Sequence, residues 1–178
     1  QVQELLKGIF DQNGDSKRIK VLKFGGRSLA NGEGIERVLD IITSKVTEGE
    51  KIAIVLSARD KATDQLEAIL EKAAEGKNYV EAFEKYQRHT YNNVDLSKEF
   101  SELVKLFEGV SLLGDYSSKI KDQVLSYGEL ISAKLLTKLL IGRGIKALLL
   151  DSKNLIKTDA TFGDAQVLDG LSRDNVVY

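Results

Sequence analysis

Lys23, Gly25, Gly26 and Ser28 stand together in Lys23-Phe24-Gly25-Gly26-Arg27-Ser28, directly after the β-type stretch Ile19-Lys20-Val21-Leu22. A cation and a glycine pair at the carboxyl end of a strand suit an anionic ligand, because open α/β sheets bind ligands at that end. Glycine lets backbone N–H groups approach phosphate oxygens closely, and a lysine is a point charge able to balance a transferring phosphoryl group. The run is neither G-x-G-x-x-G nor a Walker A loop. Taken alone, a Gly pair after a strand also reads as a tight turn, and a strand-terminal Lys as solvated. Tyr127-Gly128-Glu129 puts a glycine beside a carboxylate inside an otherwise apolar helical stretch, which points to close backbone approach there. Thr63-Asp64 reads as a helix N-cap, and Asp159 to Gly163 as an Asp/Gly turn anchored in the core by Phe162.

Other chemistries are excluded by composition. With no Cys and one His in 178 residues there is no thiolate nucleophile, no Cys-ligated zinc and no relay that does not use His89. His89 lies in the polar run Gln87-Arg88-His89-Thr90 and is given no role; no residue is assigned to a metal. The 26 Lys and Arg nearly cancel the 27 Asp and Glu, for a formal net charge of -1, so no global field recruits nucleic acid or an acidic membrane. No apolar run reaches the roughly 20 residues of a membrane helix, and the start lacks the basic residues and continuous apolar run of about 7–15 residues that mark a secretory signal. A cytoplasmic location fits. The chain has no Pro, where average usage of about 5% predicts roughly nine, no Met, and Gln at position 1. These features lead to the expectation that it is part of a longer polypeptide.

The positioning elements follow from periodicity. Val2, Leu5, Leu6 and Ile9 predict a leading helix in 1–17, closed by the turn-forming Asp11 to Ser16. A strand ending at Phe24 is followed by a helix over 33–48 with Asn31 and Ser28 as candidate caps, through Ile35, Val38, Leu39, Ile42 and Val46. Lys51 to Leu56 then predicts a central parallel strand buried on both faces, completing a βαβ unit. Residues 62–109 read as helical, with one stripe through Leu66, Ile69, Leu70 and Ala73, another through Phe83, Tyr86 and Thr90, and a third helix around Leu103 and Phe107. A long, largely buried helix runs from Ser117 to Leu140. Ile145 to Leu150 predicts a further buried strand, and Leu155-Ile156 with Val167-Leu168 short ones.

The combination KFGGRS, VLSA at 55–58, SYGEL at 126–130 and TDATFGDAQV at 158–167 resembles the aspartate kinases of the amino-acid kinase family, in the family's motif order and over about Lys20 to Val167. The long helical insertion between VLSA and SYGE points the same way, since acetylglutamate and uridylate kinases have less there. The resemblance is closest to the aspartokinase domain found alone or fused ahead of homoserine dehydrogenase. It implies a three-layer αβα sandwich with a mostly parallel sheet, of which residues 18–178 form only the N-terminal, amino-acid-binding lobe.

The reaction so implied transfers phosphate from ATP, with Mg²⁺, to the β-carboxylate of L-aspartate, giving 4-phospho-L-aspartate for Lys, Thr and Met biosynthesis. That carboxylate is already an anionic nucleophile, so no general base is needed, and the work falls to positioning and charge neutralisation. By the resemblance Lys23 is the phosphate-contacting lysine, and Gly25, Gly26 and Ser28 line the phosphate path. Ser57, Ala58 and Thr63 belong to the aspartate-side loop, Glu129 receives the substrate's α-ammonium group, and Asp159 and Phe162 border the pocket. Arg27 and Arg59-Asp60-Lys61 depart from the family's usual small residues and carry no assigned role. The family's Gly-Arg-Gly-Gly-Ser-Asp motif does not occur in the chain, so the nucleotide half of the site is expected elsewhere and this lobe alone is expected to be inactive. The full-length protein is expected to be a homo-oligomer with aspartate and ATP as small-molecule partners. A non-catalytic ligand-binding or assembly module of the same fold, and a kinase for acetylglutamate or glutamate, are the alternative functions.

Overall fold

A computed structural model describes residues 19–30, 32–89 and 94–176; the leading helix expected in 1–17, the Asn31 cap and Thr90 lie outside the described residues. Strand β1 (Lys20–Phe24) pairs in parallel with β2 (Ile52–Leu56), Leu22 opposite Ile54 and Lys23 opposite Val55. The Ser57 amide donates to the Phe24 carbonyl at 3.2 Å, carrying the ladder one step past the strands. Between them lies α1 (Gly32–Thr47), which buries Ile35, Val38, Leu39 and Ile42 as its periodicity requires. It stops at Gly49, whose φ of +83° is the left-handed conformation that closes helices.

Four helices follow: α2 (Ala62–Ala74), α3 (Val80–His89), α4 (Ser97–Leu113) and α5 (Ser118–Gly142). Leu66 and Leu70 of α2, Phe83 of α3, Leu103, Phe107 and Val110 of α4 and Val124 of α5 form one core. Phe83 is its hub, meeting Phe107 edge-on at 5.3 Å and Phe100 at 6.1 Å between ring centroids. A second core joins α1 to Phe24, Ile54 and Leu56 of the sheet and to Leu135, Leu136 and Leu140 of α5. Helix α5 is therefore the spine of the molecule: its first half is buried in one core, its second half in the other, and Gly128 to Ser132 lie where the two meet. Ser117 caps it, the hydroxyl accepting from the Ile120 amide at 3.4 Å. Glu99 of α4 is buried and paired with Lys134 of α5 at 2.5 and 2.6 Å, cross-linking the two helices.

The α/β class and the parallel sheet agree with the expectation. Two strand expectations are corrected. Strand β2 is buried on one face, not two: Ile54 and Leu56 point to the helices, while Val55 is 51% exposed beside Val21, itself 67% exposed. Residues 145–150 alternate in exposure, Ile145 and Ala147 packing on the second core and Leu148 and Leu150 facing outward, but they form no strand among the described residues. The reason is common to both. An apolar run specifies that a segment seeks cover, whereas which faces obtain it depends on neighbours elsewhere in the chain. Likewise Leu155 closes a helical turn, α6 (Ser152–Leu155), rather than a strand, and Thr158 and Val167 form a single antiparallel bridge. A last helix, α7 (Asp169–Val176), packs on α6. No helix among the described residues is long and apolar enough to cross a membrane.

Candidate functional site

The loops that leave β1 and β2 meet backbone to backbone. A Cβ at Gly26 would stand 2.5 Å from the Ala58 carbonyl oxygen and 3.3 Å from the Asp60 nitrogen, closer than real side chains come, so this position is restricted to glycine. The Asp60 amide donates to the Gly26 carbonyl at 3.0 Å and fastens the approach. Asp60 itself adopts φ +46°, left-handed backbone that a short polar residue tolerates better than most. Gly25 is different: a Cβ there meets nothing within 4 Å. Its carbonyl accepts from the Ser28 amide at 3.0 Å, which closes the single 3₁₀ turn Gly26–Leu29.

Helix α5 forms the third wall. A Cβ at Gly128 would lie 2.9 Å from the Ala58 Cβ and 3.7 Å from the Thr63 hydroxyl oxygen. The glycine inside an apolar helix thus follows from close approach, as the sequence suggested, and Ala58 is small for the same reason. Thr63 sits inside the first turn of α2, whose N-cap is Lys61 without a side-chain bond, so the capping reading of Thr63-Asp64 does not hold. Gly26, Ala58, Thr63 and Gly128 are accordingly in one place, with Ser57 at the end of the ladder and Glu129 next in the helix.

Lys23 projects from the exposed face of β1, opposite Val55 in register. Arg27 and Ser28 are exposed just beyond it. Three groups to which the sequence pattern gives no role complete the site. The Arg59 guanidinium turns inward and donates to the main-chain carbonyl of His89 at the end of α3. Its burial holds its pKa below the usual guanidinium value, partly offset by Tyr86 and Asp60. Tyr86 is buried, and desolvation pushes its phenol above the ordinary range, so it stays neutral; the Arg59 guanidinium opposes that shift and the Glu129 carboxylate reinforces it. Arg59 and Tyr86 border a cavity of about 70 Å³ that Gln65, Gly128 and Ser132 also line. Ser132, 4% exposed, accepts from the Arg59 amide at 3.0 Å and donates to the Gly128 carbonyl at 2.9 Å. Its signal in the sequence is faint: a small polar residue one turn after a glycine, on the buried stripe of α5.

The 158–167 segment is placed differently. One Asp159 carboxylate oxygen accepts from the Thr161 amide at 3.0 Å and the Gln166 amide at 3.2 Å, closing the turn between Thr158 and Val167. These bonds hold the carboxyl below the usual aspartate value. Phe162 is not a core anchor, being 46% exposed with the Lys119 ammonium 5.9 Å above its ring. The Gly163 amide donates to Asp122 at 2.7 Å. The turn therefore docks on the start of α5, and neither side chain makes a described contact with Gly26, Ala58 or Gly128. Since the folded pKa of Asp159 lies below its unfolded value, near 3.9, the two bonds are at full strength above that value and are lost as pH falls through the folded midpoint. The Thr161 and Gln166 amide resonances should shift together in an acid titration, with a common midpoint below about pH 3.9.

His89 contacts the Lys85 carbonyl through Nδ1 at 2.7 Å. Among the described residues no trio of His, Cys, Asp or Glu could hold a metal ion.

Residues 18–177 match the family described as the amino acid kinase family. The lysine-sensitive aspartokinase 3 of Escherichia coli (strain K12) is 30% identical over 164 residues, 83% of this chain and 34% of that protein. The bifunctional aspartokinase/homoserine dehydrogenase of Buchnera aphidicola is 28% identical over 176 residues, 89% of this chain and 21% of that protein. Among solved structures, E. coli aspartokinase III in complex with aspartate and ADP superposes with a TM-score of 0.73 at 26% identity, over 89% of this chain and 37% of that one. The chain thus spans between about a fifth and somewhat over a third of the length of these relatives.

Proposed function

The chain belongs to the amino acid kinase family, and on that footing we propose that it is the amino-acid-binding lobe of an aspartate kinase, which transfers the terminal phosphoryl group of ATP to the β-carboxylate of L-aspartate. The observation that carries this reading is the meeting of three backbones at Gly26, Ala58 and Gly128. It joins the Lys23 loop, the Ser57-Ala58 loop and the helix bearing Glu129, the three segments that such a reaction needs side by side. The curated relatives are aspartokinases, and the superposed E. coli enzyme was solved with aspartate and ADP.

The chemistry divides among these segments. Lys23 and the Gly25–Gly26 backbone meet the phosphates, and the exposed lysine supplies positive charge where the transferring group and its acceptor are both anionic. Glu129 holds the α-ammonium group, and Ser57, Ala58 and Thr63 shape the wall beside the reacting carboxylate. The nucleophile is an anion, so no base is required of this chain. Mg²⁺ bound with the nucleotide would supply charge neutralisation on the phosphates. By the family resemblance the full-length enzyme is a homo-oligomer with its nucleotide lobe outside this chain, and its cysteine-free composition fits a cytoplasmic location.

Glu129→Ala tests the substrate. Losing a charge-assisted bond to the ammonium group should raise the aspartate KM in the full-length enzyme by about 10- to 100-fold. An unchanged KM would point instead to an acceptor without a free amino group, such as acetylglutamate.

A further inference from the structure

We propose that Ser132 is a positioning residue of the aspartate pocket: its hydroxyl bolts the Ala58–Arg59 peptide to the Gly128–Glu129 turn of α5. The inference rests on the aspartate-kinase reading and concerns a residue that never touches substrate. A buried serine on a helix commonly donates to the carbonyl one turn back, and that bond alone would say little. Here the lone pair of the same oxygen is taken by a tertiary donor, the Arg59 amide 73 residues away, at 3.0 Å. Because the oxygen accepts there, its proton is directed to Gly128, 2.9 Å away. The hydroxyl thus bridges the residue after Ala58 to the residue before Glu129.

The surroundings make this bridge the register pin of the pocket. Ala58 rests on Gly128 with no room for a further carbon, and it shares an apolar core with Tyr127 and Ile131 of α5, so the hydroxyl adds a directional bond to a contact that is otherwise non-directional. A second fastening acts on the far side of the loop, where the Arg59 guanidinium holds the end of α3 through the His89 carbonyl. Arg59 and Ser132 together clamp one peptide between two helices, and this gives the arginine an inward, structural use. Ser57 and Ala58 on one side and Glu129 on the other then face the substrate at a fixed separation. Without the Ser132 hydroxyl the Arg59 amide loses its acceptor in a buried place, and the loop must shift to find another.

The test is steady-state kinetics of the full-length enzyme carrying Ser132→Ala, with Ser132→Thr as the hydroxyl-retaining control. The aspartate KM should rise roughly tenfold, the ATP KM should stay within about twofold, and the threonine variant should recover most of the loss. Ser132→Cys fills similar space but accepts hydrogen bonds weakly, and it carries the same expectation if the alanine variant does not fold. An unchanged aspartate KM, or equal rises in both KM values, overturns the assignment even where the melting point falls. Wild-type enzyme that does not phosphorylate aspartate would instead remove the reading on which the assignment rests, so the two failures are told apart.

Discussion

Lys23→Ala should reduce aspartate-dependent phosphoryl transfer about a thousandfold in the full-length enzyme, with its melting point nearly unchanged. The two halves of that expectation have separate physical grounds. Lys23 is exposed, sits opposite Val55 on the uncovered face of the sheet, and its ammonium group has no hydrogen bond or ion pair among the described residues. Removing it should cost the fold no more than an ordinary surface substitution, within about 0.5 kcal/mol. An exposed positive charge on a strand face contributes little to folding. Transfer between two anions needs that charge most when the phosphoryl group is in flight, so the loss should appear in kcat as well as in kcat/KM. Lys23→Arg should restore little, because a planar fork does not occupy the place of a compact ammonium. Calorimetry of the variant alongside hydroxamate-trapped turnover separates the two effects. A non-catalytic module would tolerate the change.

The second large effect is expected at Gly26, with Gly25 as its internal control. Gly26→Ala drives a methyl group to 2.5 Å from a backbone oxygen that has no rotamer in which to retreat. The Asp60 amide bond to the Gly26 carbonyl and the left-handed Asp60 must then give way together. Overpacking of this kind costs about 2 kcal/mol, which for a chain of this size lowers the melting point by roughly 4–8 °C, and turnover should fall with it. Gly25→Ala has open space around the added carbon and an ordinary φ of -78°. It should melt like the wild type and lose activity only through crowding of the phosphate path. Equal melting points for the two variants would contradict the backbone contact on which the site is built.

Much of this architecture was legible in the residues. The periods of α1 and α2 and the β-type run before the glycine pair placed those elements correctly, because each buries one face, and the long apolar pattern of α5 placed it because its two halves are buried in two cores. Gly128 was legible too, since a glycine in the middle of an apolar helix weakens that helix and is worth its cost where another backbone must come close. The face of β2 and the pairing of 145–150 were not, because cover is decided by segments remote in sequence. The TDATFG turn illustrates a different limit. An Asp beside a Gly serves a ligand or its own turn with equal ease, and Asp159 spends one oxygen on Thr161 and Gln166. Arg59 and Ser132 were illegible because an arginine in a loop and a serine on a helix are ordinary in sequence, and only the fold brings them within 3.0 Å.

The central claim is tested most directly by incubating the full-length enzyme with ATP, Mg²⁺ and L-aspartate and trapping the acyl phosphate with hydroxylamine. Aspartate hydroxamate, formed only when all three are present and lost in Lys23→Ala, is the predicted result. Failure to form it, or formation with acetylglutamate or glutamate in preference to aspartate, would contradict the account.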